Sequence, residues 1–159
     1  MNTVTNPVIA LVLPCYNEEQ ILPLTARKLA SELQRLVDSG LVSAQSKIVF
    51  VDDGSCDSTW SLIEQLSAGD SVFAGIKLAR NYGHQYALYA GLMETEADAL
   101  ISLDADLQDD VAVIEKMVTS FRAGSEIVYG VRNNRESDTR FKRHTAAAHY
   151  WLLSKMGIE

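Results

Sequence analysis

Apolar residues along this chain fall into two alternating patterns, short unbroken runs and longer stretches with helical spacing. Val8–Leu13 is an unbroken apolar run between Pro7 and Pro14, the mark of a strand buried on both faces that the second proline stops. Lys47–Val51, Val72–Leu78, Ala97–Leu103 and Ile127–Tyr129 predict further strands. Between the first two, Leu22, Leu29, Leu33, Leu36 and Val37 share one face of a helix that runs to about Asp38, with Pro23 in its first turn and Gly40 as its stop. Trp60, Ile63 and Leu66 mark a second helix, capped by Asp57 or Ser58 and closed by Gly69. A third, from about Gln85 to Thr95, is rich in small residues (Ala87, Ala90, Gly91) that allow close packing on a sheet. A fourth, Val111–Phe121, places Ile114, Met117, Val118 and Phe121 on one face, capped by Asp109 or Asp110 and ended by Gly124. A polar loop from Arg132 then leads to a last helix with Phe141, Ala148, Trp151, Leu152 and Met156.

Strands alternating with helices about every 25 residues predict an α/β fold, Rossmann-like, with three α/β/α layers and a mostly parallel sheet covered on both faces. The expected organisation is a flexible N-terminus at 1–7, an α/β domain at 8–131, and a basic loop with a C-terminal helix at 132–159. Ligands of such sheets bind beyond the carboxyl ends of the strands, where strand order reverses. The unusual polar groups collect on that edge: Tyr16 and Glu18 after the first strand, Asp52 and Asp53 after the second, Asp104 and Asp106 after the fourth. Three separate segments meeting at one crevice point to a metal-assisted site.

Chemistry is densest at 104–110, where Asp104, Asp106, Gln108, Asp109 and Asp110 follow a strand-like apolar run. Asp104 and Asp106 are two apart. If the extended geometry persists past Leu103, their side chains fall on the same side and can close on one cation, and Gln108 continues that parity. A solvated acidic loop is the alternative.

Composition narrows the class. With 159 residues, 47% apolar and 22% charged, the chain is the size of one globular domain with a core of its own. Met1–Asn6 lack the basic-then-apolar order of a signal peptide and no apolar run reaches the length of a membrane span, so a cytosolic chain is expected. Cys15 and Cys56 have neither disulfide-framework nor zinc spacing, so reduced thiols are expected. The net charge of −7 is uneven. Residues 132–159 hold six Lys/Arg against three acids, net +3, and the first 131 residues hold eight against eighteen, net −10. A basic tail on an acidic body suggests that the tail meets an anion; a solvated basic helix is the other reading.

Pro14-Cys15-Tyr16-Asn17-Glu18, Val51-Asp52-Asp53-Gly54-Ser55, Arg80-Asn81-Tyr82-Gly83-His84-Gln85 and Asp104-Ala105-Asp106-Leu107-Gln108-Asp109 occur in an order and spacing that resemble the inverting nucleotide-sugar glycosyltransferases of the GT-A fold. Among these the chain looks like the polyprenyl-phosphate (undecaprenyl- or dolichyl-phosphate) glycosyltransferases, over roughly its first 135 residues. The resemblance implies a Mg²⁺ or Mn²⁺ site at Asp104 and Asp106 with Gln108. It implies nucleotide contacts from Pro14, Tyr16, Glu18, Asp52, Asp53, Asp104 and Ala105, and a catalytic set of Asp104, Asp106, Asp109, Arg132 and Arg135. The implied partners are a UDP- or GDP-linked sugar donor and a polyprenyl-phosphate acceptor, met through a full-length protein at the cytoplasmic face of the inner membrane. No nucleic-acid partner is expected, and a homo-oligomer is left open.

The chemistry agrees with these roles. Displacing a nucleoside diphosphate builds negative charge on the leaving oxygen, which a carboxylate-bound divalent cation offsets. A lipid phosphate is largely dianionic at neutral pH, and so needs gathering by cations such as Arg132, Arg135, Arg140, Lys142 and Arg143 more than deprotonation. Other residues carry two readings each. His84 faces phosphate or sugar, or only neighbours a helix cap; Tyr16 stacks on a base or packs; Asp53 binds ligand or orders the Asp-Gly turn; Phe141 and Trp151 face a membrane or the core. Val111 stands where the family commonly has proline, and the chain stops at Gly157-Ile158-Glu159, short of the family's acceptor-side segment. The expectation is therefore an amino-terminal portion that binds nucleotide and metal with little turnover. Two rivals are a non-catalytic nucleotide-binding module and an Asp-x-Asp phosphohydrolase.

Overall fold

In the computed structural model, which describes residues 6–106 and 110–130, strands and helices alternate. They are β1 (Ile9–Cys15), α1 (Leu22–Asp38), β2 (Lys47–Asp52), α2 (Thr59–Gly69), β3 (Phe73–Lys77), α3 (His84–Glu94), β4 (Ala99–Ser102) and α4 (Val113–Arg122). The strands form one parallel sheet in the order β3-β2-β1-β4. Strand order thus reverses between β1 and β4, which is where a parallel α/β sheet opens its ligand crevice.

Period-two alternation along β1 divides the core. Ile9, Leu11, Leu13 and Cys15 join Leu22, Ala26, Leu29, Leu33 and Leu36 of α1, Ile63 of α2, and Ile114 and Val118 of α4 in one apolar layer. Ala10 and Val12 join Val49, Val51 and Ala87 of α3 in the other. Each fully buried leucine of α1 contributes roughly 1.5–3 kcal/mol. On α3 the small residues serve the close packing their composition predicts. A Cβ on Gly91 would lie 2.6 Å from both Val12 Cγ1 and Val51 Cγ2, so the helix backbone rests directly on the sheet. Arg35 of α1 bridges Glu32 and Glu115, the latter on α4, at 2.7 and 2.6 Å.

Two expectations change. β1 does not stop at Pro14 but continues to Cys15, with Pro14 opposite Val51 and Cys15 opposite Asp52. The reason is parity. The Val12 carbonyl accepts from Leu103 N–H and the Cys15 carbonyl accepts from Asp53 N–H, so Pro14 turns its missing donor toward the β4 side. Pairing with β4 has already ended there, at Val12 opposite Ser102. The proline therefore leaves β1 paired with β2 while parting it from β4.

Ile127–Tyr129 forms no strand, and Ile127 is exposed. β propensity expresses packing against neighbours, and these residues pair with no strand among the described residues. Among the described residues no helix is long and apolar enough to cross a membrane. The last predicted helix lies outside the described residues.

Candidate functional site

Two loops leave the carboxyl ends of β1 and β2 and are tied together side chain to backbone. Asn17 adopts a left-handed conformation, with φ 55°. Its amide donates to Ser55 Oγ at 3.0 Å and its Oδ1 accepts from Cys56 N–H at 2.9 Å. Glu18 N–H donates to the buried Thr59 Oγ1 at 2.8 Å, and Glu19 exchanges bonds with Asp57 and Ser58 at 3.2 and 2.9 Å. Asp57, rather than Ser58, satisfies the start of α2 by accepting from Thr59 N–H at 3.0 Å. These bonds hold Tyr16 half-exposed and Glu18 partly buried at the crevice.

A third loop, 80–83, is locked onto the second. Asp53 is buried and its two carboxylate oxygens accept from Tyr82 N–H at 2.8 Å and Gly83 N–H at 2.9 Å. Gly54 has φ +70°, and a Cβ there would fall 2.4 Å from the Arg80 carbonyl carbon. Only glycine fits beneath that backbone. Arg80 in turn lies over the Tyr82 ring at 4.9 Å.

Asp52 differs from its neighbour. It is fully buried; Oδ1 accepts from Ser55 N–H at 3.2 Å, whereas Oδ2 is buried with no hydrogen-bond partner among the described residues. Such an orphaned acceptor is rare because desolvating it costs free energy.

Beyond β4 the chain does not stay extended. The strand ends at Ser102 and a turn occupies Ala105–Asp106, so the shared side expected from strand geometry is not what relates Asp104 and Asp106. The loss follows from the parting of β1 and β4 at Pro14. Both aspartates are exposed, and Ala105 between them is buried. Pro14, His84, Leu88, Ser102, Leu103 and Asp104 line a cavity of about 240 Å³ at the reversal of strand order. His84 Nε2 lies 3.7 Å from Asp104 Oδ1.

Electrostatics link the segments. Burial first, then the charges of Asp106 and Asp57, hold the Glu18 carboxyl above its ordinary range. Burial, Glu18 and Asp52 together push the Cys15 thiol far up, so it stays protonated and is no nucleophile at neutral pH. Negative charge from three loops is thus concentrated, and hard oxygen donors in such a field suit a divalent cation. Among the described residues no three His, Cys, Asp or Glu side chains converge as a complete metal site. Gln108, Asp109, Arg132 and Arg135 lie outside the described residues, as do Arg140, Lys142 and Arg143. Thr25 and Thr59 are fully buried hydroxyl residues that composition alone does not single out, Thr59 accepting from Glu18 N–H and Thr25 donating to the Ala105 carbonyl. Their one sequence signal is a hydroxyl where the core pattern calls for an apolar side chain.

Known proteins match this chain over most of its length. The chain is 46% identical over 157 residues to the uncharacterized glycosyltransferase YkoT of Bacillus subtilis (strain 168), covering 98% of this chain and 47% of that protein. It is 38% identical over 148 residues to the bactoprenol glucosyl transferase of Shigella phage SfX, covering 93% and 47%. It is 36% identical over 136 residues to the undecaprenyl-phosphate 4-deoxy-4-formamido-L-arabinose transferase of Pseudomonas fluorescens (strain SBW25), covering 85% and 38%. The chain thus spans about half the length, or less, of these relatives. Its fold is that of glucosyl-3-phosphoglycerate synthase from Mycobacterium tuberculosis in complex with UDP, with TM-score 0.55 and 23% identity over 79% of this chain and 46% of that one. The mannosyltransferase PcManGT from Pyrobaculum calidifontis, in complex with GDP-Man and Mn²⁺, gives TM-score 0.53 and 21% identity over 73% and 32%. The predicted Rossmann-like α/β architecture of the GT-A glycosyltransferases is therefore the observed one. Residues 10–157 match glycosyl transferase family 2, and the chain belongs to that family.

Proposed function

We propose that the protein transfers a sugar, with inversion, from a nucleoside-diphosphate donor to a polyprenyl phosphate, and that this chain supplies the nucleotide and metal site. The observation that carries the reading is the buried Asp52 Oδ2 at the carboxyl edge of β2, without a hydrogen-bond partner among the described residues. In the loaded protein that oxygen accepts from an N–H of the nucleotide base, with Tyr16 stacking beside it and Pro14 and Glu18 bounding the same pocket. Asp53 spends both oxygens on the amides of the 80–83 loop rather than offering a free oxygen edge. Asp104 and Asp106, with Gln108, are the residues that would hold Mg²⁺ or Mn²⁺; the bound ion supplies charge neutralisation to the departing diphosphate. Mn²⁺ accompanies GDP-Man in the Pyrobaculum enzyme, which is in keeping with a divalent ion here. Arg132 and Arg135 gather phosphate oxygens, and Asp109 completes the reacting set.

The acceptor class rests on the relatives, two of which are named for bactoprenol or undecaprenyl phosphate. Family membership leaves the phosphohydrolase rival without support. Calorimetric titration of the chain with UDP- and GDP-sugars, with and without Mn²⁺, tests the site. Transfer to polyprenyl phosphate is then assayed on the full-length protein. Metal-dependent binding of one nucleotide sugar, lost in Asp52→Ala and Asp104→Asn, is the expected result. Nucleotide binding indifferent to both substitutions would sink the reading.

A further inference from the structure

Thr25 is out of keeping with its helix face. Its companions there are Leu22, Ala26, Leu29, Leu33 and Leu36, and Thr25 is as fully buried as they are. A β-branched residue is a modest helix former, and a buried hydroxyl costs stability unless it is bonded. The bond is made outside the helix. Thr25 Oγ1 lies 2.7 Å from the Ala105 carbonyl oxygen and 3.2 Å from that of Ile21. A hydroxyl has one proton, and the shorter contact takes it.

Ala105 is fixed twice. Its methyl group belongs to the core layer shared with α1, and its carbonyl is held by Thr25, 80 residues earlier in sequence. Asp104 and Asp106, on either side, are exposed. Past the Leu103 N–H, which still donates to the Val12 carbonyl, no strand pairing among the described residues orients this segment. The hydroxyl of α1 takes over from the sheet where the sheet stops.

We propose that Thr25 is a positioning residue for the metal site: by holding the Ala105 carbonyl it fixes the turn whose two flanking carboxylates must meet one divalent cation. This rests on the reading of Asp104 and Asp106 as metal ligands. The backbone between two ligands sets their separation, and loss of such supporting bonds typically weakens a site by 10- to 100-fold.

The test compares Thr25→Val, which keeps the shape and loses the hydroxyl, with Thr25→Ser, which keeps the hydroxyl. Ser46→Ala is the control, since Ser46 is an equally buried hydroxyl, accepting from Ile9 N–H at the opposite end of the sheet. Mn²⁺ affinity in the presence of UDP or GDP is measured on the full chain, together with hydrogen exchange of residues 103–106 in the metal-free protein. Thr25→Val should weaken Mn²⁺ by about tenfold and speed exchange at 103–106. Thr25→Ser should stay near wild type in both, and Ser46→Ala should alter stability without altering Mn²⁺ affinity. If Thr25→Val binds Mn²⁺ as wild type does while Asp104→Asn loses it, the positioning role is overturned and the metal reading stands. If Asp104→Asn and wild type bind Mn²⁺ alike, both fall.

Discussion

Asp53 accepts the Tyr82 amide at 2.8 Å, and its second oxygen accepts the Gly83 amide at 2.9 Å, so a carboxylate at the end of β2 holds the loop that starts α3. Both oxygens are used and the side chain is buried. Charge-assisted bonds of this kind contribute roughly 1.5–3 kcal/mol each to stability. Asp53→Asn replaces one acceptor by a donor that opposes an N–H. The variant is expected to lose about 2–3 kcal/mol in urea unfolding, with the 80–84 amides exchanging faster. An unchanged unfolding midpoint with normal protection at 82 and 83 would show that the loop is held by something else.

Gly91 sets how closely α3 approaches the sheet. With Val12 Cγ1 and Val51 Cγ2 each 2.6 Å from where a Cβ would be, neither neighbour can yield without disturbing the inner face of β1 or β2. Overpacking of this kind costs roughly 1–3 kcal/mol, more than the gain of about 1 kcal/mol in helix propensity from glycine to alanine. Gly91→Ala should therefore lower the melting temperature, although the same change at an exposed helical position would raise it. Because α3 begins at His84, whose side chain lines the crevice, the displaced helix should also weaken nucleotide binding.

The raised proton affinity of Glu18 gives a pH dependence with a definite sign. Burial, then Asp106 and Asp57, place its folded pKa above the unfolded value, so the folded state binds the proton more tightly. Its contribution is complete below the ordinary glutamate value of about 4.3 and is lost as pH rises through the folded value. At neutral pH the ionised Glu18 therefore works against the fold. Glu18→Gln is expected to be at least as stable as wild type at pH 7, with the gap closing as the pH falls toward 4. Urea unfolding of both proteins across that range checks it, and a variant that loses stability relative to wild type as the pH rises contradicts it.

Much of this site was legible in the sequence because the chain repeats one device. An apolar run ends in carboxylates, and a parallel sheet brings such ends to one edge, so Glu18, Asp52 and Asp104 can be placed near one another before any contact is known. What sequence could not give were distinctions that depend on partners. Asp52 and Asp53 are adjacent and alike in type, yet one keeps an orphaned oxygen and the other spends both on backbone amides. Pro14 reads as a strand stop and acts as a one-sided one, because the parity of the ladder decides which neighbour loses the hydrogen bond. Ile127–Tyr129 reads as a strand from composition, which says nothing about whether the segment pairs with a neighbour. Thr25 shows in the sequence only as a hydroxyl on an apolar helix face, and its partner, 80 residues away, does not show at all.

The orphaned oxygen of Asp52 separates stability from function. A fully buried carboxylate oxygen without a donor costs the folded protein free energy, while its companion oxygen still accepts from Ser55 N–H. Asp52→Asn can keep the Ser55 bond through its carbonyl and removes the buried charge, so the variant should equal or exceed wild type in thermal stability. Its amide group now stands where a nucleotide donor would arrive, setting donor against donor. Nucleotide affinity should fall at least tenfold, a loss of about 1.4 kcal/mol. Unfolding and calorimetry on the same preparation read the two effects together. A residue retained for structure would lose both when changed; one kept for its ligand, against the interest of the fold, should lose only binding.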